Sequence, residues 1–517
     1  MANRIIFWSI KSRLNEGKFQ YEEGIGPHKL STLAKRQGYE TIIFNDHQFG
    51  SNPDQIKRVT ESNVNGGKTI VAYSLLSAGI PLLERIAQMR TAQGVPVLIG
   101  GMGASLEPER VLRMFNDRTL DLALIQGEAE GIFDKLISAP PSSWRNIEGV
   151  WAYDSSGSIR RGCFHAVKDL DESPFADLCA SSQRSEAERK SDDTSLPPEQ
   201  RLEMLKSLTV SQIESRRGCY LKCGFCNTSA LPQGVRLVRK SSPRRLVEEM
   251  RNMFENYGIT FFSLTDNIAF DIPDWWENFA DLMQEQPFMP FIQFGGYSCP
   301  RILNRDAWMK KTLPRLYSVG LRGVILGAQA GSKRVLEEVV NRPGDDPENA
   351  LEITRAAVPL GINVKVDFIV GHPTETLEDL RTTRRWINEI YQNGGEVFVR
   401  ELGVVPHSKY SDKLKARMYA LPERTSEFQA EVAAILKMKA VDNVYRRIAF
   451  SEGRVPNKYL IDRGAGILYP STHFGLQTLQ ANADLLNRSG MPEHIRDRYR
   501  KMFALAMKLK KGGGYDF

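Results

Sequence analysis

The chain has 517 residues, 41% hydrophobic and 25% charged, with 69 Lys+Arg against 62 Asp+Glu for a net charge of +7. This length makes about two to four domains with chain enough for large buried cores, and the composition excludes a fibrous or wholly disordered protein. The mild basic excess gives no strong ground for a nucleic-acid partner, and no apolar run approaches the roughly 20 residues of a membrane-crossing helix.

The opening residues MANRIIFWSIKSRLNEGKF lack the apolar core and cleavage site of a signal peptide, so the chain is expected in the cytoplasm. Residues 1–150 alternate strand-like runs (Ile5–Trp8, Thr41–Phe44, Thr69–Ser74, Val95–Ile99, Leu120–Ile125) with amphipathic stretches such as Pro27–Gln37, Gly79–Ala92 and Pro108–Met114. That alternation predicts an α/β unit, an open parallel Rossmann-like sheet covered on both faces, with any ligand at the carboxyl ends of the strands. There lie Ser74-Leu75-Leu76-Ser77, Gly100-Gly101-Met102-Gly103-Ala104-Ser105 and Gln126-Gly127-Glu128-Ala129-Glu130. Their glycines would let backbone approach a ligand closely; plain turn chemistry is the alternative for any one of them.

Residues 151–206 read as a hairpin, turning at Asp154-Ser155-Ser156-Gly157, followed by a charged, Ser-rich linker over Ser181–Arg201. Residues 207–410 return to strand then helix. Strand candidates are Ser207–Ile213, Thr260–Leu264, Phe291–Phe294, Gly323–Leu326, Asn363–Val370 and Glu396–Val399; helices fit Pro243–Asn256, Pro273–Gln284, Lys333–Val340, Pro347–Leu360 and Thr376–Gln392. Six such units predict a partial (β/α)6 barrel with its chemistry at the strands' C-terminal ends. In the fifth strand Lys365, Asp367 and Ile369 share one face, because strand side chains alternate. A charged pair is costly to bury without partners against the helix layer, so Lys365 and Asp367 are expected inside the barrel. An internal ion pair is the structural reading; contact with cofactor or substrate makes them catalytic candidates, with Cys299 after the third strand as another. Residues 411–517 read as a mainly helical domain ending in Gly512-Gly513-Gly514. Its basic stretch Arg496–Lys511 reads as a solvated face, and Trp275-Trp276 as core or domain interface.

Of six cysteines, Cys163, Cys179 and Cys299 are scattered, whereas Cys219, Cys223 and Cys226 form a C-x3-C-x2-C run directly after the first barrel strand. Thiolates suit zinc or an iron–sulfur cluster. Zinc would want a fourth Cys or His nearby, and the nearest other cysteine is Cys179. Three ligands on one loop suit a 4Fe–4S cubane with one iron left open.

This motif, with Phe225 just before the last cysteine, resembles the signature of the radical S-adenosylmethionine superfamily. The resemblance implies that the open iron binds S-adenosylmethionine, which one electron cleaves to methionine and a 5′-deoxyadenosyl radical. It extends to Phe262-Ser263-Leu264-Thr265-Asp266-Asn267, similar to the acidic motif that holds the methionine amine, and to Gly327-Ala328-Gln329-Ala330-Gly331-Ser332, where Gln329 stands in place of the usual Glu. Ile369-Val370-Gly371-His372-Pro373-Thr374-Glu375-Thr376 resembles the turn near the adenine, and Pro406-His407-Ser408-Lys409-Tyr410 the turn ending the barrel. On this resemblance Phe225, Asp266, Asn267, Gln329, Ser332 and Ile369 would contact S-adenosylmethionine. His372 departs from the pattern and reads as structural.

Leu98-Ile99-Gly100-Gly101, Leu106-Glu107-Pro108-Glu109 and Gly127-Glu128-Ala129-Glu130 resemble the cobalamin-binding domain that precedes many such barrels. The resemblance implies cobalamin contacts at Ser74, Leu75, Gly100, Gly101, Gly103, Gln126, Gly127 and Glu128. No Asp-x-His-x-x-Gly segment follows the first strand, so cobalt would lack a histidine from this chain. Asn45-Asp46-His47-Gln48-Phe49-Gly50 follows the second strand and is a decoy. A domain that has lost its cofactor is the alternative. The implied activity is methylation of a carbon in a small-molecule or peptide substrate, with an electron donor such as flavodoxin or ferredoxin. Radical cyclisation, ring contraction or rearrangement with the same cofactors is the alternative. A methylthiotransferase acting on RNA would want three more cysteines in residues 1–150, which contain none. A non-catalytic sensor would not need the later barrel motifs.

Overall fold

The computed structural model describes residues 3–11, 24–64, 67–76, 79–89, 94–115, 121–231, 238–403, 405, 407–416, 425–438, 484, 487 and 492–511. Ser77, Pro406 and the triple glycine fall outside the described residues, as does most of 411–517, of which Lys409–Lys415, Ser426–Lys437 and Glu493–Lys511 are helical. Contacts divide the chain into two units, Met1–Leu208 with Leu231–Val235 and Thr209–Ala230 with Arg236–Phe517. No helix among the described residues is long and apolar enough to cross a membrane.

Apolar, β-branched runs build the first sheet. β1 (Arg4–Ile10), β2 (Glu40–Asn45), β3 (Thr69–Leu75), β4 (Val97–Gly100) and β5 (Leu122–Leu124) are parallel, in the order β2-β1-β3-β4-β5. Alternate residues of β1 enter separate cores, Ile6, Trp8 and Ile10 in one and Ile5 and Phe7 in the other. A strand buried on both faces is what a parallel sheet between two helix layers requires. The order reverses between β1 and β3, the switch point where open sheets of this kind bind ligands. Beyond the sheet, β6 (Gln126–Gly127) pairs with β9 (Phe164–His165), and β7 (Ala152–Tyr153) forms the expected hairpin with β8 (Ile159–Arg160).

The expected linker is instead two helices, Ser182–Asp192 and Pro198–Ser207, packed on each other. Their sequence conceals this because only Ala187, Ser191, Leu202 and Leu205 are buried. Ser181 caps the first helix by accepting from Arg184 N, and a proline opens the second, where its missing N–H costs nothing.

In the second unit β10 (Val210–Ile213) is followed by the short antiparallel pair β11 (Arg216–Arg217) and β12 (Arg239–Lys240). β13 (Phe261–Leu264), β14 (Gln293–Ser298), β15 (Leu321–Gln329), β16 (Asn363–Val370) and β17 (Glu396–Glu401) then join β10 in one parallel sheet, in chain order. Crossovers between parallel neighbours are right-handed as a rule, which puts the connecting helices of a chain-order sheet on one face, the arrangement of an open barrel. Val364, Val366, Phe368 and Val370 of β16 are fully buried toward that layer, so Lys365, Asp367 and Ile369 occupy the other face. The expected helix Lys333–Val340 is helical over residues 333–339, widening to a π turn over Val335–Val339. Such widened turns recur at functional sites.

Candidate functional site

The cysteine run leaves the carboxyl end of β10. Asp266, just after β13, holds its first residues: the carboxylate accepts from Ser215 N (2.8 Å), Arg216 N (3.1 Å) and the Ser215 hydroxyl. The π turn holds its middle, where Gly224 N donates to Val340 O (2.9 Å) and Asn341 Nδ2 to Lys222 O (2.8 Å). Gly224 is obligatory because a Cβ there would lie 2.5 Å from the Tyr410 ring. Ser229 Oγ donates to the carbonyls of Cys223 and Cys226.

Cys219 and Cys223 are buried and Cys226 half-buried. Burial pushes the Cys219 thiol up to about 12 and raises Cys223 as well, the latter against the pull of Arg342. Metal loading must therefore displace protons. Among the described residues no three His, Cys, Asp or Glu side chains converge as a single-ion site would require. A cubane spreads its thiolates over separate irons and makes no such demand. Three thiols on one loop, an apolar surround of Ala330, Val335, Leu336 and Val339, and a guanidinium donating to one sulfur are donors and setting that fit an iron–sulfur cluster.

That guanidinium belongs to Arg342, which the sequence reading missed. Its Nε lies 3.1 Å from Cys223 Sγ, and its Nη1 reaches Gly327 O at 2.6 Å, Asp345 Oδ2 at 3.3 Å and Cys299 Sγ at 3.8 Å. Cys299 is 1% exposed, packs with Cys219, Ile268 and Ile302, and donates to the Asp345 carboxylate. Burial raises its thiol to about 11. The structure thus places Cys299 in the packing around the cysteine loop.

The expected S-adenosylmethionine contacts separate into two groups. Asp266 is fully committed to Ser215 and Arg216, and burial lifts its carboxyl to about 6. Ser332 donates to Asp379 at 2.5 Å, a carboxylate that also takes Arg334 and caps the helix Leu377–Gln392 through Thr376. Both are engaged in hydrogen bonds within the fold. Thr265 and Asn267 flank Asp266 on the exposed side. Phe225 sets its ring 6.2 Å from those of His372 and Tyr410. Gln329 ends β15 after a register shift with φ +70°, and Ile369 is half-buried on the inner face. His372 is fully buried, with Nε2 on Gln329 O (3.2 Å) and Nδ1 on the Tyr410 hydroxyl (3.0 Å). Burial lowers it to about 4, so it stays neutral and supports the wall, as its structural reading requires.

On the inner face Asp367 accepts from the Tyr297 hydroxyl, and the Lys365 ammonium sits 4.8 Å from the Phe398 ring centroid. Tyr297 was not singled out from sequence, although it shares a row with Ile325 and Lys365 by register. Burial first, then the Asp367 charge, raises its phenol.

On the rim of the first sheet, several of the expected cobalamin contacts have partners within the fold. Gly101 has φ +90° and a Cβ there would meet Leu75 N and O at 2.6 and 2.7 Å; at Gly127 one would meet His165 O at 2.2 Å. Both glycines are demanded by neighbouring backbone. Gly103 is buried in its helix, whereas Gly100 has only Ile125 O, at 3.9 Å. The Gln126 side chain bridges Ser105 O and Trp151 Nε1, and Glu128 accepts from Val167 N. Ser74 is half-buried, Leu75 buried and Leu76 44% exposed. The Asp46 carboxylate, at the start of the 3-10 turn Asp46–Phe49, accepts from Lys11 N and Ser51 Oγ.

A six-stranded parallel sheet in chain order, with a three-cysteine loop at its carboxyl edge, defines the class. Residues 213–387 match the family model described as the Radical SAM superfamily, so that part of the chain carries a radical S-adenosylmethionine domain. Such a domain implies a 4Fe–4S cluster and S-adenosylmethionine. An uncharacterized methyltransferase of Pyrococcus horikoshii is 24% identical over 312 residues, 58% of this chain and 59% of that protein; the chain thus spans about three fifths of that relative. Among solved structures, the radical S-adenosylmethionine methyltransferase TsrM from Kitasatospora setae, with tryptophan and a cofactor analogue bound, aligns at TM-score 0.58 and 14% identity over 80% of this chain and 76% of its own. The cobalamin-dependent S-adenosylmethionine radical enzyme OxsB, with aqua-cobalamin and S-adenosylmethionine bound, aligns at TM-score 0.61 and 14% identity over 100% of this chain and 82% of its own. These structures share the fold.

Proposed function

We propose that this chain is a cobalamin-dependent radical S-adenosylmethionine enzyme that methylates a carbon of a small-molecule or peptide substrate. The supporting observation is that one chain combines the three-thiol loop with a five-stranded sheet in the β2-β1-β3-β4-β5 order, whose carboxyl rim presents Ser74, Leu76 and Gly100. An exposed leucine beside an unobstructed glycine suits an apolar macrocycle. When bound, the cluster supplies the electron that splits S-adenosylmethionine, and cobalamin supplies a transferable methyl group.

The residues have distinct tasks. Cys219, Cys223 and Cys226 would hold iron through their sulfurs. Phe225, His372 and Tyr410 form an aromatic wall beside that loop and exclude water from it. Asn267, Gln329 and Ile369 remain as contacts for S-adenosylmethionine. Lys365, Asp367 and Tyr297 line the inner face and would orient the substrate. The electron would come from a flavodoxin- or ferredoxin-like donor.

Anaerobic reconstitution with iron, sulfide and hydroxocobalamin tests the reading. The expected outcome is one cubane and one cobalamin per chain, read by metal analysis and absorption. Protein that cleaves S-adenosylmethionine but has no affinity for hydroxocobalamin would remove methylation from the proposal.

A further inference from the structure

Arg342 lies outside every motif that marks the cysteine loop, yet its guanidinium reaches Cys223, Cys299, Gly327 and Asp345 at once. It is 7% exposed, and each of its contacts is buried. Asp345 is its carboxylate partner, and Asp345 is itself shared with Arg301 at 3.3 Å. A guanidinium serving Asp345 alone would have no reason to turn Nε onto the Cys223 sulfur at 3.1 Å. The turn that presents it is built for the purpose: Asn341 has φ +66° and anchors on Lys222 O, directly after the π turn.

The physical consequence follows from charge. Three thiolates on a dicationic cubane leave one net negative charge, and one-electron reduction adds a second. A fixed positive charge hydrogen-bonded to a ligand sulfur stabilises the more negative state, and in a desolvated site little screening weakens it.

Resting on the reading that the three cysteines hold a cluster, we propose that Arg342 is a positioning residue that favours the reduced cluster through its hydrogen bond to Cys223. The electron enters from an external one-electron carrier, which leaves oxidised, and no proton is exchanged. Asp345 opposes this effect, and Arg301 partly offsets Asp345 from the other side.

The test uses full-length protein reconstituted anaerobically with iron and sulfide. Midpoint potentials would be read by electron paramagnetic resonance of the reduced cluster, alongside iron content. Arg342→Gln should lower the reduced-to-oxidised ratio at fixed ambient potential at least tenfold, about 59 mV for a one-electron couple. Arg342→Lys, which keeps charge but loses the fork, should fall between. Asp345→Asn should shift the ratio the opposite way, and it keeps the proposal testable if Arg342→Gln does not fold. Variants that load iron like wild type with unchanged midpoints would overturn the role of Arg342 while leaving the cluster assignment standing. Wild-type protein that binds no iron would overturn the cluster assignment itself.

Discussion

The two parallel sheets carry their carboxyl rims in different ways. On the five-stranded sheet the glycines are consumed by the fold, Gly101 against Leu75 and Gly127 against His165, and the side chains of Gln126 and Glu128 are tied to neighbouring loops. On the six-stranded sheet the rim gathers three thiols, a buried guanidinium and an aromatic wall, none of which the sheet needs in order to form. A glycine at a strand end therefore says little about ligands until the backbone it faces is known. Buried groups that soften or charge an apolar wall say much more.

The sharpest break of this contrast is Cys223→Ala. It should reduce iron content and abolish cleavage of S-adenosylmethionine while the first unit is unaffected; wild-type-like 5′-deoxyadenosine formation would overturn the assignment. On the other rim, Gly101→Ala should cost on the order of 3 kcal/mol, from strain at positive φ and a collision with backbone. Gly100→Ala should cost little stability and, if cobalamin binds there, weaken hydroxocobalamin binding. Equal melting temperatures for the two variants would erase the distinction between a glycine demanded by the fold and one left free.

A third test concerns the turn after β16. His372 is lowered to about 4 by burial, so the unfolded chain binds more protons between there and 6.5, and this residue's stabilisation is lost as pH falls through that window. Glu375 is raised to about 7 by burial, partly countered by the Gly371 and His372 N–H groups that it accepts, so its contribution is lost as pH rises from 4.5 through 7. The two oppose each other, each on the order of 3 kcal/mol. Relative to wild type, Glu375→Gln should make stability climb more steeply with pH between 4.5 and 6.5, and His372→Gln should make it decline. Denaturant midpoints across that range measure both slopes, and unchanged slopes in both variants would refute the burial argument. The smallest effect is Tyr297→Phe, about 1 kcal/mol for its hydrogen bond to Asp367. With Lys365→Met it should alter product formation more than cofactor binding; unchanged products would leave these groups a structural role only.

Much of this architecture was legible because strands buried between helix layers read as apolar runs and because three cysteines on one loop are a rare arrangement. The helices over residues 182–207 were hidden, since four modest buried side chains do not outweigh a charged, serine-rich sequence. The bonds from Ser215 and Arg216 to the Asp266 carboxylate, by which it holds the start of the cysteine loop, are a geometry no spacing reveals. Arg342 was illegible for a different reason: its place depends on a π turn and a left-handed asparagine, which side-chain periodicity does not encode.

Among the described residues the chain-order sheet does not close on itself, and that has a colloidal consequence. An unclosed sheet keeps two terminal ladders of backbone donors and acceptors, each a template for a second molecule. β10 offers only four residues, and β17 ends in exposed Arg400 and Glu401, with the Arg400 guanidinium 4.6 Å from the Phe398 ring centroid. Brevity guards one border and two exposed charges the other, so neutralising Arg400 and Glu401 together would invite self-association before it disturbed any chemistry.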